Sequence, residues 1–303
     1  MDFPWPALDG LPPPQWTGAG FLVGGKRLGV LAYSGGVSGW SDGLTHMHES
    51  WAGEDHPIDE LSRGWATAAL RRHAANASPV ILEVGCSSGF LITRLRDEWP
   101  SATVLGSDFL LEPLERLAAR EPAVPLLQFD LVQCPLPDAS IDAVVMLNVL
   151  EHIKDDRGAM RQVSRILKPG GIAIVEVPAG PHLYDAYDEF LQHERRYTAG
   201  TLAALLEGSG LTILERSHLG FSVYPAFAMV KRRNQRQVAR SPGHPDARRA
   251  IVESNIRQTR ASVVLRLLLQ AEAWLGQYCS FPIGIRSVAV ARKAWKEHQG
   301  GAS

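Results

Sequence analysis

The sequence predicts an α/β fold built around a mostly parallel sheet, and three observations support this prediction. Strand-like and helix-like segments alternate from Val80 to about residue 216, as the crossovers between parallel strands require. Val80–Val84 is a nearly continuous apolar run that leads into two glycines, Gly85 and Gly89. A helix-compatible run follows these glycines. A buried strand, a glycine turn and a helix in this order are typical of a site where helix N-terminal amides face a nucleotide.

The apolar periodicity predicts the individual elements. The predicted strands are 80–84, 103–107, 125–129, 141–147, 172–177, 211–216 and 285–292. The predicted helices are 59–75, 89–98, 111–120, 157–167 and 199–207. A further amphipathic helix is predicted beyond the basic segment that starts at Lys231, and its apolar face consists of Val264, Leu267, Leu268, Ala271, Trp274, Leu275 and Tyr278.

The overall composition narrows the function classes. The 31 basic and 32 acidic residues nearly cancel, so no global positive field favours nucleic acid as a partner. No segment is long and apolar enough to predict a transmembrane span, and the first residues do not predict a secretory signal. Cys86, Cys134 and Cys279 lie far apart without metal-ligand spacing, which predicts reduced thiols in a cytoplasmic protein.

Residues suited to bind a ligand follow the predicted strands. Asp108 comes about 20 residues after the glycine turn, where an acidic group accepts hydrogen bonds from both hydroxyls of a ribose. Phe109 is placed to lie against an adenine ring, and Asp130 to accept a hydrogen bond from an exocyclic amine. Asn148 is placed beneath the ribose substituent. Each polar strand end is equally open to a second interpretation as a helix cap.

The glycine turn itself decides between nucleotides. A dinucleotide fold usually has three glycines in the pattern G-x-G-x-x-G, whereas the turn Gly85-Cys-Ser-Ser-Gly89 has one fewer. The chain also has no Lys-Ser/Thr phosphate loop. An adenosine ligand without phosphates is therefore favoured over NAD or ATP.

With these parts in place, the sequence resembles the class I S-adenosylmethionine-dependent methyltransferases of the small-molecule type. The resemblance covers about residues 60–218 and 285–293. It rests on Leu82-Glu-Val-Gly-Cys-Ser-Ser-Gly89, Gly106-Ser-Asp108, Asp130, Leu136-Pro-Asp138, Ser140-Ile-Asp-Ala-Val-Val-Met-Leu-Asn-Val-Leu-Glu-His152 and Leu167-Lys-Pro-Gly-Gly171. It implies a Rossmann-like, seven-stranded, mostly parallel sheet of order 3-2-1-4-5-7-6 with an antiparallel last strand.

The resemblance also implies the cofactor, S-adenosyl-L-methionine, and its product, S-adenosyl-L-homocysteine. Four groups of residues are implied to hold the cofactor. They are Glu83, Gly85, Cys86, Ser87 and Gly89 for the methionine part, Asp108 and Phe109 for the ribose side, Asp130 and Leu131 for the adenine, and Asn148 and Leu150 for the sulfonium side. Where many members have Gly or Ala, the segment Cys86-Ser87-Ser88 is expected to narrow the pocket slightly. Arg63 is predicted to reach the cofactor carboxylate, and Tyr33 to close over the cofactor.

A second, more local resemblance concerns the acceptor. The segments Val177-Pro-Ala-Gly-Pro181, Tyr184-Asp185 and His193-Glu-Arg-Arg-Tyr-Thr198, with Asp188 between them, are similar to a subset of bacterial methyltransferases. These act on sugars, polysaccharide precursors or secondary metabolites. The candidate catalytic residues are His152 and His193 as bases, Tyr184 as a pocket wall, and Arg196 as a phosphate or carboxylate ligand. In the alternative interpretation, Asp185 or Asp188 pairs with Arg196 and fixes the loop.

The predicted function is methyl transfer to an oxygen or nitrogen of a polar small molecule. The candidate acceptors are sugars, nucleotide-sugars and secondary-metabolite intermediates, and they include phosphorylated molecules. Four alternatives stay open. These are carbon methylation, a non-catalytic S-adenosylmethionine-binding subunit, a nucleic-acid methyltransferase and a nicotinamide oxidoreductase. The missing glycine disfavours the last of these, and the neutral charge disfavours nucleic acid.

Three units are predicted along the chain. Residues 1–57 form an arm or lid over the active site, and residues 58–218 with 285–293 form the methyltransferase domain. Residues 219–284 form a basic segment and an amphipathic helix that cover the acceptor or make a homodimer contact, and the basic segment is most simply a solvated surface. The polar cluster of the arm, which includes His46 and His48, is predicted to be a hydrogen-bonded lid, and no metal site is predicted.

Overall fold

The computed structural model describes residues 3–33, 56–240 and 263–295. Eleven strands lie in these ranges: β1 (Gln15–Trp16), β2 (Phe21–Val23), β3 (Lys26–Leu28), β4 (Val30–Ala32), β5 (Val80–Val84), β6 (Thr103–Asp108), β7 (Leu126–Gln128), β8 (Ile141–Leu147), β9 (Leu167–Pro178), β10 (Leu211–Leu219) and β11 (Arg286–Lys293). Eight helices lie there too: α1 (Pro57–His73), α2 (Phe90–Glu98), α3 (Leu111–Arg120), α4 (Asp156–Ile166), α5 (Ala186–Phe190), α6 (Ala199–Glu207), α7 (Tyr224–Arg240) and α8 (Val263–Leu275).

The main sheet has eight strands in the order β4-β7-β6-β5-β8-β9-β11-β10. Seven of them reproduce the predicted order 3-2-1-4-5-7-6, and β11 runs antiparallel to both of its neighbours. The sheet contains one strand more than the seven predicted. Residues 30–32 of the arm pair in parallel with β7 and extend the sheet at that edge. A three-residue strand carries too little periodicity to be assigned to a sheet from sequence.

Both faces of the sheet are covered, which explains why the central strands are apolar throughout. Neighbouring residues of β5 illustrate this: Ile81 belongs to one cluster of buried side chains and Leu82 to another. Because successive side chains of a strand point to opposite faces, the two clusters are the cores on either side of the sheet. Strands β5, β6, β7 and β8 pair in parallel, so their carboxyl ends lie at one common edge of the sheet.

The N-terminal arm packs against the edge of the domain. Strands β1, β2 and β3 form a small antiparallel sheet, and Phe3, Trp5 and Phe21 from this region join one of the two cores. The predicted lid residues Trp40, Asp42, His46, His48 and Asp55 lie outside the described residues.

The region after β10 departs from two predictions. Most of the predicted apolar face of α8 is exposed: Leu267 is 61% and Trp274 is 59% exposed, while Leu269 and Glu272, on another side, are buried. The predicted apolar face therefore does not pack on the described part of the domain, and its contact with a second copy stays a prediction. The basic segment is also not simply a solvated surface, because Lys231 on α7 is buried. No helix within the described ranges has the length and apolar character to cross a membrane.

Candidate active site

The turn after β5 has a backbone that only small residues tolerate. Gly85 and Gly89 both have a φ of 73°. A Cβ at Gly85 would lie 2.6 Å from Val149 Cγ2, and one at Gly89 would lie 2.7 Å from Leu117 Cδ1. Glycine is needed at both positions because a side chain would meet both an unfavourable φ and a steric clash. The Cys86 side chain is buried in the core beside Gly106, so this side chain does not contribute to the predicted narrowing of the pocket.

The carboxylate of Asp108 connects the end of β6 to this turn. One oxygen accepts a hydrogen bond from the Ser87 amide at 3.0 Å, and the other accepts one from the Leu110 amide at 3.0 Å. These two bonds orient the carboxylate at the end of β6. Asp108 is thus both the backbone-capping residue and the ribose-ligand candidate of the sequence analysis. The two interpretations are compatible at this position.

Glu83, near the end of β5, is buried next to this turn. Burial and, less strongly, the nearby Asp108 raise its pKa to about 8 against the opposing effect of Arg63. One Glu83 carboxylate oxygen is buried without a hydrogen-bond partner among the described residues. A buried, unpartnered carboxylate oxygen is costly unless a ligand satisfies it. A ligand with an ammonium and a sulfonium, such as S-adenosylmethionine, supplies the positive charge that this position lacks.

Arg63 reaches the same region from α1. It is buried, donates a hydrogen bond to Glu60 at 3.2 Å and lies over the Phe90 ring at 5.6 Å. Phe90 is the first residue of α2, directly after Gly89. The guanidinium therefore lies at the start of the helix that follows the glycine turn, as the predicted contact with the cofactor carboxylate requires.

The predicted adenine side lies at the ends of β6 and β7. The Gln128 side chain donates a hydrogen bond to the Phe109 carbonyl at 3.0 Å. Asp130 caps a one-turn helix by accepting a hydrogen bond from the Val132 amide at 2.9 Å, and Leu131 is buried there. Tyr33 follows β4 at the same edge, but its hydroxyl donates to the Pro6 carbonyl at 2.8 Å. Tyr33 is therefore fixed within the arm, beside the ends of the strands.

Asn148 directly follows β8 with a φ of 55°, and its side chain is held by a hydrogen bond to β9. Its side-chain amide donates to Glu176 at 2.9 Å, and Arg286 donates to the same Glu176 oxygen at 2.7 Å. The Leu150 side chain is fully buried in the core, so only its backbone is available for the predicted sulfonium contact.

Glu151, His152 and His193 come together beyond Asn148. One ligand atom from each lies within 4.8 Å of the other two, and the rings of the two histidines are 4.7 Å apart at 76°. Glu151 is fully buried, and neither of its carboxylate oxygens has a hydrogen-bond partner among the described residues. Burial is the main cause that raises the pKa of Glu151 to about 8, and Glu176 contributes in the same direction. Both predicted bases thus lie in one cluster, with a carboxyl group that the sequence analysis did not select.

Asp188 orients His193. Its carboxylate lies 2.9 Å from His193 Nδ1 and also accepts hydrogen bonds from Arg196 and Lys231. Burial opposes ionisation of Asp188, but these three partners hold its pKa below the usual range. Since an ionised carboxylate only accepts hydrogen bonds, Nδ1 carries the proton and Nε2 has the free lone pair. Burial also lowers the pKa of His193, which keeps the ring neutral.

Arg196 and Tyr184 both make contacts within the protein that hold this cluster in place, and the role of Tyr184 as a pocket wall stays a prediction. The Arg196 guanidinium is buried and donates to Asp188 at 2.7 Å and to the Ala179 carbonyl at 3.0 Å. The structure therefore favours the alternative in which Asp188 pairs with Arg196, and the predicted phosphate contact is corrected. The Tyr184 hydroxyl donates to the His193 carbonyl at 2.7 Å, which fixes the backbone of that histidine.

The sequence analysis missed three residues of this half of the site: Glu151, Asp188 in its orienting role, and Lys231. Glu151 had a usable signal, because it follows directly after a strand end between Leu150 and His152. Lys231 had none, since it donates to Asp185 at 2.6 Å across 46 residues of chain. A cavity of about 340 Å³ lies elsewhere, between α1, α8 and the end of β10, and none of the predicted site residues lines it.

The sheet order, the glycine turn and the strand-end carboxylate define the fold and cofactor site of a class I methyltransferase. Residues 82–175 match the family described as "Methyltransferase domain". The chain thus carries a class I S-adenosylmethionine-dependent methyltransferase domain, and the predicted fold class and cofactor are confirmed.

Individual relatives agree with this assignment. The chain is 33% identical over 135 residues to a probable S-adenosylmethionine-dependent methyltransferase of Mycolicibacterium smegmatis, covering 44% of this chain and 52% of that protein. It is 29% identical over 151 residues to a trans-aconitate 2-methyltransferase of Azoarcus sp., covering 50% of this chain and 56% of that protein. The chain therefore spans about half the length of these curated relatives.

The fold extends further than the sequence match. A proposed sarcosine dimethylglycine methyltransferase from Galdieria sulphuraria superposes with a TM-score of 0.56 at 14% identity, over 84% of this chain and 99% of that one. This likeness shows the fold alone. The cluster around His193 lies beyond residue 175, outside the family match.

Proposed function

We propose that this chain transfers the methyl group of S-adenosylmethionine to an oxygen or nitrogen of a polar small molecule. The observation that carries the proposal is the pairing of two sites at one end of the sheet. The turn at Gly85 and Gly89 with Glu83 and Asp108 suits the cofactor, and the cluster with His193 adjoins it through the end of β8.

When bound, S-adenosylmethionine supplies an electrophilic methyl carbon on a sulfonium, which is a good leaving group. The task of the chain is then to align the acceptor, the methyl carbon and the sulfur. Alignment of this kind supplies ~7–11 kcal/mol of the barrier reduction. In our proposal Asp108 and Glu83 fix the cofactor, and His193 and His152 act on the hydroxyl or amine of the acceptor.

His193 suits this role because its ring is neutral and its Nε2 has a lone pair. Asp188 holds the ring through Nδ1. The bond from the acceptor atom to the methyl carbon forms as the carbon–sulfur bond breaks, and the electron pair goes to sulfur. The acceptor proton must leave at this stage, and a neutral imidazole is a suitable group to take charge of it.

We infer the acceptor class from the histidines of the cluster, because the two arginines that could bind a phosphate already have partners in the protein. Both arginines of the 193–198 segment are occupied, since Arg195 donates to the Ile153 and Lys154 carbonyls and Arg196 to Asp188. Sugars, nucleotide-sugars and secondary metabolites with free hydroxyls are therefore the acceptors we propose first. The trans-aconitate enzyme of Azoarcus sp. supports a small polar acceptor.

The test is a product assay. Purified protein is incubated with S-adenosylmethionine and a panel of monosaccharides, nucleotide-sugars, hydroxy acids and polyamines, and S-adenosylhomocysteine is measured by chromatography. We expect product above the acceptor-free control with at least one hydroxyl-bearing acceptor. Tight cofactor binding without product from any acceptor would support the alternative of a non-catalytic binding subunit. Product methylated at carbon would support the second alternative.

A homodimer stays a prediction as well. The exposed apolar side chains on α8, among them Val264, Leu267 and Trp274, are compatible with contact to a second copy. Light scattering during size-exclusion chromatography decides the matter, because a mass of about 33 kDa (the chain itself is 33.1 kDa) would contradict the prediction.

A further inference from the structure

We propose that Glu151, His152 and His193 bind a divalent first-row transition-metal ion, which holds an oxygen of the acceptor. This inference deepens the proposed function and rests on it for the acceptor, whereas the binding of the ion stands by itself. The sequence analysis predicts no metal site, so the proposal arises from the geometry of this cluster alone.

The three side chains offer a suitable set of ligand atoms. Two imidazole nitrogens and one carboxylate oxygen lie within 4.8 Å of one another. Metal–ligand bonds of ~2.0–2.2 Å require a closer set than this. The ring of His152 is only half-buried, and its rotation is the movement that closes the site. Imidazole ligands favour zinc, iron, cobalt or nickel over magnesium or calcium.

The carboxylate of Glu151 provides an independent reason for a cation. It is fully buried, and within the described part of the chain neither oxygen has a hydrogen-bond partner. Buried carboxylates are normally paired or coordinate a metal, because an isolated buried charge is costly. An unpartnered carboxylate facing two histidines is thus the arrangement that a bound cation would satisfy.

Neighbouring cations are already assigned to other acids. Lys231 bridges Asp185 and Asp188, and Arg196 also pairs with Asp188. These two acids and two bases cancel. A second group consists of Arg286, Glu176 and Asp59. Its one arginine pairs with both acids, so this group has an excess of negative charge. A divalent cation between Glu151 and the two imidazoles would offset this excess.

The surroundings of the cluster resemble a prepared metal site. A ligating histidine usually donates its other ring N–H to a carboxylate, and His193 does so to Asp188 at 2.9 Å. The two ligand segments are also connected, because the Glu194 amide donates to the Glu151 carbonyl at 2.7 Å. Arg195 adds a hydrogen bond to the Ile153 carbonyl at 2.8 Å. The backbone segments that carry the ligands are therefore fixed relative to one another before an ion arrives.

Three protein ligands leave open coordination positions, as in catalytic metal sites. A hydroxyl of the acceptor bound there would have a lowered pKa and would lose its proton to solvent. Its oxygen would then form the bond to the methyl carbon while the carbon–sulfur bond breaks with its electrons going to sulfur. The histidines of the proposed function would then act on the acceptor through the ion. This favours an oxygen over a nitrogen acceptor.

The test uses the tag-free full chain, stripped with a chelator and titrated with Co²⁺ alone. Visible absorption and calorimetry report the binding. We expect one Co²⁺ per chain, with affinity reduced at least tenfold in Glu151→Gln and His193→Ala. The matched control is His182→Ala, because His182 contacts Tyr224 outside the cluster; this variant should bind Co²⁺ like the wild type. Circular dichroism confirms that each variant is folded.

Two outcomes would overturn the proposal: a folded wild-type chain that binds no Co²⁺, or Glu151→Gln and His193→Ala variants that bind it as the wild type does. A parallel titration with S-adenosylmethionine separates the two claims. Loss of Co²⁺ binding with cofactor binding retained in the Glu151→Gln variant supports the metal site. Failure of the wild type to bind S-adenosylmethionine contradicts the proposed function. The Co²⁺ titration still tests the metal site in that case, because binding of the ion does not depend on the cofactor.

Discussion

The cofactor half and the acceptor half of this site are built in different ways. The cofactor half, from Glu83 to Asn148, consists of strand ends and backbone turns in one continuous stretch. The acceptor half, around His193, consists of side chains from distant segments that meet through Asp188. Backbone geometry constrains the first half, whereas buried charges constrain the second. The two halves should therefore fail separately when they are mutated.

The largest separation is expected for His193→Ala. Removal of this ring should lower turnover by roughly 10²–10⁴-fold, the usual contribution of a positioned acid–base group. Cofactor affinity should stay within about threefold, since the ring lies beyond the cofactor half; a factor of three is about 0.6 kcal/mol. Product assays and calorimetry on the same preparation measure both. An equal loss of cofactor affinity would contradict the division into halves.

The reverse effect is expected for Asp108→Ala. This change removes two proposed hydrogen bonds from a charged carboxylate, each typically ~1.5–3 kcal/mol, so cofactor affinity should fall by roughly 10²-fold or more. The control is Asp138→Ala, an exposed carboxylate that pairs with Arg165. Calorimetric titration with S-adenosylhomocysteine measures both variants. Wild-type affinity in Asp108→Ala would remove the ribose contact from our account.

The pH dependence of cofactor affinity should distinguish Glu83 from neighbouring titratable groups. Its pKa is raised to about 8 by burial, so the carboxyl is largely protonated at pH 6 to 7 in the unliganded protein. A cationic cofactor favours the ionised form, so affinity should rise with pH by up to tenfold per unit, about 1.4 kcal/mol, until it levels near pH 8. Glu83→Gln should flatten this slope between pH 6 and 7.5. A persistent slope in that variant would assign it to another group.

The stability effect of the same shift has the opposite sign. A carboxyl whose folded pKa exceeds its unfolded value contributes stability that is present at low pH and lost as pH rises toward 8. The unliganded wild type should therefore lose stability relative to Glu83→Gln between pH 5 and pH 8. Thermal unfolding of both proteins at pH 5 and at pH 8 measures this difference.

The smallest effect concerns the exposed face of α8. Leu267 is 61% exposed, so Leu267→Asp should change the free energy of unfolding by no more than about 0.5 kcal/mol. Leu269 is buried on the same helix, and Leu269→Asp should cost several kcal/mol because it buries a charge. Chemical denaturation compares the two. If Leu267→Asp is as damaging as Leu269→Asp, then its side chain is covered in solution.

Much of the fold follows from local patterns in the sequence. The run Val80–Val84 predicts its strand without error because both faces of that strand are covered, so nearly every residue is apolar. The cofactor half is accessible in the same way, since a parallel sheet brings successive strand ends to one edge. Asp108 lies where its spacing from the glycine turn predicts.

The remaining features depend on contacts between distant residues. Strand β4 has three residues and gains its place only by pairing with β7. The apolar stripe of α8 predicts a buried face, but the helix packs on another side through Leu269 and Glu272. The Glu272 carboxylate accepts hydrogen bonds from the Gly220 and Phe221 amides, so a polar contact fixes this helix where periodicity predicts an apolar one. Arg196 likewise satisfies a buried acid and is not available for a ligand.

A crystal structure with S-adenosylhomocysteine tests the central claim most directly. We predict that the ribose hydroxyls contact Asp108, that the adenine lies beside Asp130, and that the sulfur faces the cluster of Glu151, His152 and His193. Binding in the cavity between α1 and α8, or a sulfur that faces away from His193, would contradict the account.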